Sequence, residues 1–296
     1  SNSWVVAGEH TASGHPILAN DPHLGLLAPG VWWYVHLNTA AMGGEAGLDV
    51  QGVAFAGLPG VVLGYNRDLA WGATTTGYDV TDVYAETITF RNDGTPSEPE
   101  WVPVSVAFEG GDVPLETIDE EIGVASGDPE TFTVYVVPHH GPLIPDTLEE
   151  PAVADPANGA TAEGAGFSVR YTGQDVSDEL SFFLGLTTAE SIDDAFAAAD
   201  AFEVGAQNFS FVSDSSIAWT TSSRVPVRAD DACNFAIAED GTVSGLSPLF
   251  VLPGTGEFEW TGDLDQRFVP HDVDPARGYI ANANQDNVGA TDDGNV

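Results

Sequence analysis

The sequence contains no lysine: its seven basic residues are all arginine and face 46 Asp and Glu, a formal net charge of −39 over 296 residues. A nucleic-acid binder needs a basic stripe to neutralise phosphates, so that class is excluded. A single cysteine, Cys233, excludes an intrachain disulfide framework and any multi-cysteine zinc site. Apolar runs are short. The longest, from Val53 to Leu63, is broken by Gly57, Pro59 and Gly60, so nothing approaches the roughly eighteen residues of a membrane-spanning helix and no membrane insertion is expected. No leader-like segment opens the chain. Also missing are Gly-x-x-x-x-Gly-Lys, His-Glu-x-x-His, Gly-x-Ser-x-Gly and Gly-x-Gly-x-x-Gly after a strand, which removes the common phosphate, zinc, serine-elbow and dinucleotide sites.

What is present is a core-forming composition: 43% hydrophobic residues, with seven Trp and fifteen Phe, argue against an acidic disordered chain. Charged residues make up only 18%, so the imbalance comes from deleted cations as well as added carboxylates. That pattern resembles the surface of a halophile protein, in which high salt screens the self-repulsion. The expected location is outside or on the surface of a halophile cell, with the cytoplasm left open.

Most segments read as strands. Residues 1–7 and 16–19 flank a Ser13-Gly14 turn, and 208–212 and 217–221 flank Asp214-Ser215, each pair predicting a hairpin. Val102, Val104, Val106 and Phe108 alternate with Pro103, Ser105 and Ala107, and Thr131 to Val137 is a second β-rich run. Thr187 and Glu190 form a capping box for a helix carrying Ile192, Ala195, Phe196, Ala199 and Phe202 on one face, with a shorter helix over 177–184. The stretches 92–100, 109–130 and 146–166, rich in Gly, Pro and acids, read as solvated excursions. The class is α+β with antiparallel sheets, in a single domain over 1–296.

Ser1 opens a strand-like segment. A terminal serine offers a nucleophilic hydroxyl together with its own α-amine, a base with an ordinary pKa of about 7.7–8.0. Taken alone, a terminal Ser-Asn is more often a cleavage scar. The ordered motifs behind it decide otherwise. Ser1-Asn2-Ser3-Trp4, Asn20-Asp21-Pro22-His23-Leu24, Pro59-Gly60-Val61-Val62-Leu63-Gly64-Tyr65-Asn66, Trp71-Gly72-Ala73-Thr74-Thr75 and Gly278-Tyr279-Ile280-Ala281-Asn282-Ala283-Asn284 span the chain. Between them lie His140-Gly141-Pro142, Arg170-Tyr171-Thr172-Gly173, Gln207-Asn208 and Pro253-Gly254-Thr255-Gly256. Together they resemble the β chain of the penicillin acylase family, N-terminal nucleophile hydrolases that include penicillin, cephalosporin and acyl-homoserine lactone acylases.

The resemblance implies a four-layer αββα sandwich and an amidohydrolase that forms an acyl-enzyme on Ser1. Ser1 would be exposed by autoproteolysis of a zymogen, and an α chain from the same precursor would complete what looks like a shortened β chain. It implies oxyanion donors at the Thr75 backbone N–H and the Asn284 side-chain amide, with Asn282 as the neighbouring alternative. It implies that His23 holds the serine and its amine, and that Leu24, Leu63 and Ala73 line the acyl pocket. That aliphatic lining favours fatty acyl amides such as acyl-homoserine lactones, hence quorum quenching, over phenylacetyl penicillins. Asp79-Val80-Thr81-Asp82 resembles the family's calcium segment, with ligands from Asp79, Thr81 and Asp82, a carbonyl from Pro248, and Asp292 or Asp293 as a late carboxylate. Hard oxygen donors of this kind suit Ca²⁺. Two other readings stay open: a non-catalytic acidic cation-binding surface module, and an esterase or lactonase using the same serine.

Overall fold

The computed structural model describes residues 1–39, 47–229, 236–237, 240, 242–244, 246 and 250–284. At its centre lies a seven-stranded antiparallel sheet. In spatial order its strands are His271–Val273, Ile217–Ser222, Gln207–Val212, Ala70–Thr75, Leu63–Tyr65, Asp49–Phe55 and Trp32–Asn38. The period of two along a strand sorts side chains to opposite faces. Phe209 and Phe211 therefore join the core beneath helices α1 (Glu179–Thr188) and α2 (Ile192–Ala199), while Val212 faces the other way. Phe182, Phe183, Leu186, Ile192, Ala195 and Ala199 form the helix side of that core. Each large side chain so buried contributes roughly 1.5–3 kcal/mol.

The second face is covered by a three-stranded sheet in the order Ile17–Asp21, Asn2–Val6, Tyr279–Asn282, with Val5 and Ile280 packed on Val212, Ile217 and Trp219. The described residues thus form three stacked layers: helices, large sheet, N-terminal sheet. A separate sheet is built on Thr81–Asn92, the longest strand, paired with Thr161–Tyr171 and Trp101–Phe108. Leu252–Pro253 joins that strand in parallel.

Both predicted hairpins form, and several details differ from the sequence reading. The helix cap is Ser191 rather than Thr187: Ser191 Oγ accepts from Asp194 N at 3.1 Å, whereas Thr187 is buried at the end of α1, its hydroxyl bonded to Phe183 O. The boundary between the two expected helices thereby moves: the first runs on to Thr188 and the second starts at Ile192. In Trp101–Phe108 the expected alternation fails because a bulge opposite Thr89 and Phe90 leaves Val104 unpaired. Trp101 and Pro103 are buried before it and Val106 after it. The extra residue switches the inward face. The acidic stretch 109–130 holds two strands, Gly111–Pro114 and Glu116–Ile122. The latter, exposed along its whole length, is kept in register by pairing with Glu130–Val137. Likewise, Thr161–Tyr171 begins inside the supposed excursion 146–166.

Candidate active site

Strand register assembles the site. Ser3 pairs with Asn282 on one side and Asn20 on the other, so two residues back Ser1 comes level with Asn284 and Pro22. Across the layer, Ala70–Thr75 sends Gly72 and Thr74 toward the N-terminal sheet and Trp71 and Ala73 toward the helices. Its last residue, Thr75, lines a cavity of about 360 Å³ together with Ser1.

Asn20 ties the two sheets together. Its Nδ2 donates to Asn2 O (3.0 Å) and Ala73 O (2.8 Å), and its Oδ1 accepts from Ala73 N (3.2 Å). Gly72 makes room for it: a Cβ there would lie 2.7 Å from Asn20 Cβ and 2.8 Å from its Cγ. A second tie runs from the Thr74 hydroxyl to the buried Asn282 Oδ1, which also accepts from Asn284 N at 2.9 Å. Asn208 supports the strand end from the far side, donating to Thr75 O at 3.1 Å and accepting from the Trp219 indole.

The sequence-derived positions fall as follows. Thr75 N donates to Asn284 Oδ1 at 3.2 Å, so the two groups assigned to an oxyanion are adjacent and bonded to each other. Asn284 adopts φ 65°, a left-handed conformation that asparagine tolerates better than most residues. Asn282 is the structural amide of the pair. His23 contacts Ser1 through its backbone, whose N–H donates to Ser1 Oγ at 3.2 Å. Its imidazole, expected to hold the serine, instead turns back on Asp21, with Nδ1 3.1 Å from the carbonyl and Nε2 3.6 Å from the carboxylate. The Asp-Pro turn directs the chain so that the amide, not the ring, faces the terminus.

Leu24, Leu63 and Ala73 all line the cavity with Ser1 and Thr75, but they are a minority of its wall. Five aromatic residues that the sequence reading missed share it: Trp32, Phe55, Phe183, Phe202 and Phe209. Trp32 stacks on Phe55 at 4.6 Å, and Phe202 meets Phe183 and Phe209 edge to face. The aliphatic character inferred from three positions is therefore not the character of the pocket. Glu179, also on the wall, was missed as well. Its carboxylate accepts from Val204 N (2.9 Å), Glu203 N (3.3 Å) and the Ser177 hydroxyl (2.8 Å). No sequence motif marks it, since its backbone partners Glu203 and Val204 arrive from a loop 24 and 25 residues away.

The cation segment does not form an open oxygen cage. Asp82, fully buried, has both carboxylate oxygens on Arg228 and one also on Trp260 Nε1. Asp79 lies 3.2 Å from the same guanidinium. Among the described residues no cluster of three or more His, Cys, Asp or Glu could hold a metal. Thr81 begins the long strand, and Pro248, Asp292 and Asp293 lie outside the described residues. Among the described residues, with Asp82 held by Arg228 and Trp260, the acids do not fit a calcium ion.

The penicillin amidase family model matches residues 1–294. The acyl-homoserine lactone acylase QuiP of Pseudomonas aeruginosa is 30% identical over 294 residues, covering 96% of this chain and 30% of its own length. The penicillin G acylase of Escherichia coli is 26% identical over 294 residues, covering 96% and 28%. The chain thus spans about 30% of the length of the curated relatives it matches. Among solved structures, a thermostable penicillin G acylase from Alcaligenes faecalis superposes with a TM-score of 0.72 at 24% identity, over 97% of this chain and 44% of that one. This likeness establishes the fold, an α+β sandwich of antiparallel sheets shared with that acylase. With its motifs in order and the family model matched over nearly its whole length, the chain belongs to the penicillin amidase family.

Proposed function

We propose that this chain carries the catalytic serine of an acylase that hydrolyses the amide bond of an N-acyl substrate, of the kind named in its penicillin and acyl-homoserine lactone relatives. The observation that carries the reading is that Ser1 and Thr75 share the wall of an apolar cavity while the Thr75 N–H meets the Asn284 side chain. The cavity, about 360 Å³, lies toward the small end of the usual range for ligand sites, roughly 300–1,000 Å³. Its ring-rich wall suits a compact apolar acyl group, phenylacetyl as well as a short fatty chain.

Ser1 Oγ attacks the amide carbon while its proton passes to the α-amine. The carbonyl oxygen, now an oxyanion, replaces Asn284 Oδ1 as acceptor of the Thr75 N–H, and rotation of the Asn284 amide turns its Nδ2 onto the same oxygen. Each such donor lowers the barrier by roughly 2.7–4 kcal/mol. The C–N bond then breaks, the amine proton moves to the departing nitrogen, and water hydrolyses the ester to release the acid and restore the hydroxyl. The His23 N–H at 3.2 Å orients Oγ for the first step.

A second chain completes the protein in this reading, the α chain of a common precursor released by autoproteolysis. Support comes from apolar side chains close in sequence to the pocket residues Leu24 and Trp32 that the described residues leave exposed: Leu27 is 69% exposed, Trp33 70% and Tyr34 88%. The acidic surface fits a halophile protein working outside the cell. The test is to incubate the full-length protein with penicillin G and an N-octanoyl-homoserine lactone, and to identify products by mass spectrometry. Free acid and amine, with a transient acyl adduct on Ser1, are expected. Normal hydrolysis by a mature protein that retains residues ahead of Ser1 would refute the reading.

A further inference from the structure

Arg228 is one of only seven cations in the chain, and it is almost completely withdrawn from water, with 1% of its side chain exposed. It sits on the short strand Pro226–Arg228, which pairs with Trp260–Asp263 through a register shift between Val227 and Arg228 that leaves Thr261 of the partner strand as the extra residue. The guanidinium grips Asp82 with two N–H groups, Nε to Oδ2 at 2.8 Å and Nη2 to Oδ1 at 3.1 Å. Nη2 also donates to the Asp79 backbone carbonyl at 3.2 Å and lies 3.2 Å from the Asp79 carboxylate, off the N–H axis, as an ionic contact. Trp260 Nε1 donates to the same Asp82 oxygen. Asp82 is fully buried, and two carboxylates and one carbonyl thus converge on one fixed positive charge.

We infer that the guanidinium of Arg228 is the resident cation of the Asp79–Asp82 locus, a covalently tethered charge standing where the family resemblance assigns calcium. The chemistry is exclusive. A divalent ion would need the Asp82 oxygens, both of which Arg228 already holds, and although Asp79 Oδ2 is buried without a hydrogen-bond partner, an ion there would bring like charge against a guanidinium 3.2 Å away with no water to screen it. Arginine suits the task because its planar fork meets a carboxylate through two parallel bonds and never loses its proton. The locus joins the start of the longest strand to the segments around 228 and 260, so its charge holds two sheets together with no dependence on a dissolved ion.

The test uses the full-length protein and reads bound metal and unfolding, so it stands apart from any acylase assay. Wild type and Asp79→Asn are dialysed against millimolar calcium with excess magnesium to occupy surface carboxylates, and their calcium content is compared. Equal content in the two is expected, as is a wild-type unfolding midpoint that EGTA does not move. Arg228→Gln is expected to lower the midpoint, with calcium now restoring part of the loss. If Arg228→Gln does not fold, the Asp79→Asn comparison still decides. A single equivalent of calcium present in wild type and missing from Asp79→Asn would overturn the inference, as would a wild-type midpoint that falls on chelation while that of Asp79→Asn does not.

Discussion

An alanine methyl at Gly72 would stand 2.7 Å from Asn20 Cβ, 2.8 Å from Cγ and 3.0 Å from Oδ1, closer than non-bonded carbons approach. Either Asn20 leaves or the N-terminal sheet moves off the strand Ala70–Thr75. If Asn20 leaves, its bonds to Asn2 O, Ala73 O and Ala73 N are lost. At about 1 kcal/mol net for each, Gly72→Ala costs about 2–3 kcal/mol of stability. If the sheet moves, Ser1 shifts by roughly 1 Å against Thr75, which costs on the order of 10²-fold in kcat. Backbone strain is not involved, because Gly72 is not among the glycines with positive φ. Denaturant unfolding and steady-state kinetics on an acyl amide are measured for Gly72→Ala, Asn20→Gly and the double variant. Because the clash is between these two residues, the double variant should lose no more than Asn20→Gly alone. Unchanged stability and kcat in Gly72→Ala, or simple addition of the two single costs, would refute the coupling.

Three further outcomes are expected. Asn284→Ala should lower kcat by about 10²–10³-fold with little change in KM, because the donor acts on charge present only in the transition state. A salt titration from about 0.1 to 1 M shortens the Debye length from roughly 10 to 3 Å and should raise the unfolding midpoint of so acidic a chain; a flat response would remove the halophile reading. His140 is fully buried between Glu86 and Glu259, each 2.7 Å from a ring nitrogen. Burial pulls its pKa down, but the hydrogen bonds to Glu259 and Glu86 outweigh that and hold it above the ordinary value of 6.5. Stability from this clamp is full below that value and drains as pH rises through the raised folded pKa. Denaturant midpoints should therefore fall from neutral to alkaline pH, and His140→Gln should abolish that slope while lowering stability by about 3–5 kcal/mol.

Local signals made much of the molecule readable. The hairpins at 1–21 and 207–222 were legible because alternating side chains flank short turns, and the ordered family motifs pointed to Thr75 and Asn284, which the fold brings into hydrogen-bond contact. The helix boundary was misread because two residues with capping chemistry, Thr187 and Ser191, lie four apart, and only burial of the first against α1 decides between them. In the same way, the acidic strand Glu116–Ile122 lacks the alternation of a half-buried strand, and its pairing partner alone gives it form.

The linear order of residues determined the family and the antiparallel class, since composition and short motifs are properties of neighbours along the chain. What meets what was decided only in three dimensions. The backbone of His23 rather than its ring touches Ser1, five rings from five separate positions line the cavity beside it, and Arg228 reaches Asp82 across 146 residues. Contacts over such separations are set by sheet register and layer packing, and register carries no mark in the sequence beyond the faces it buries.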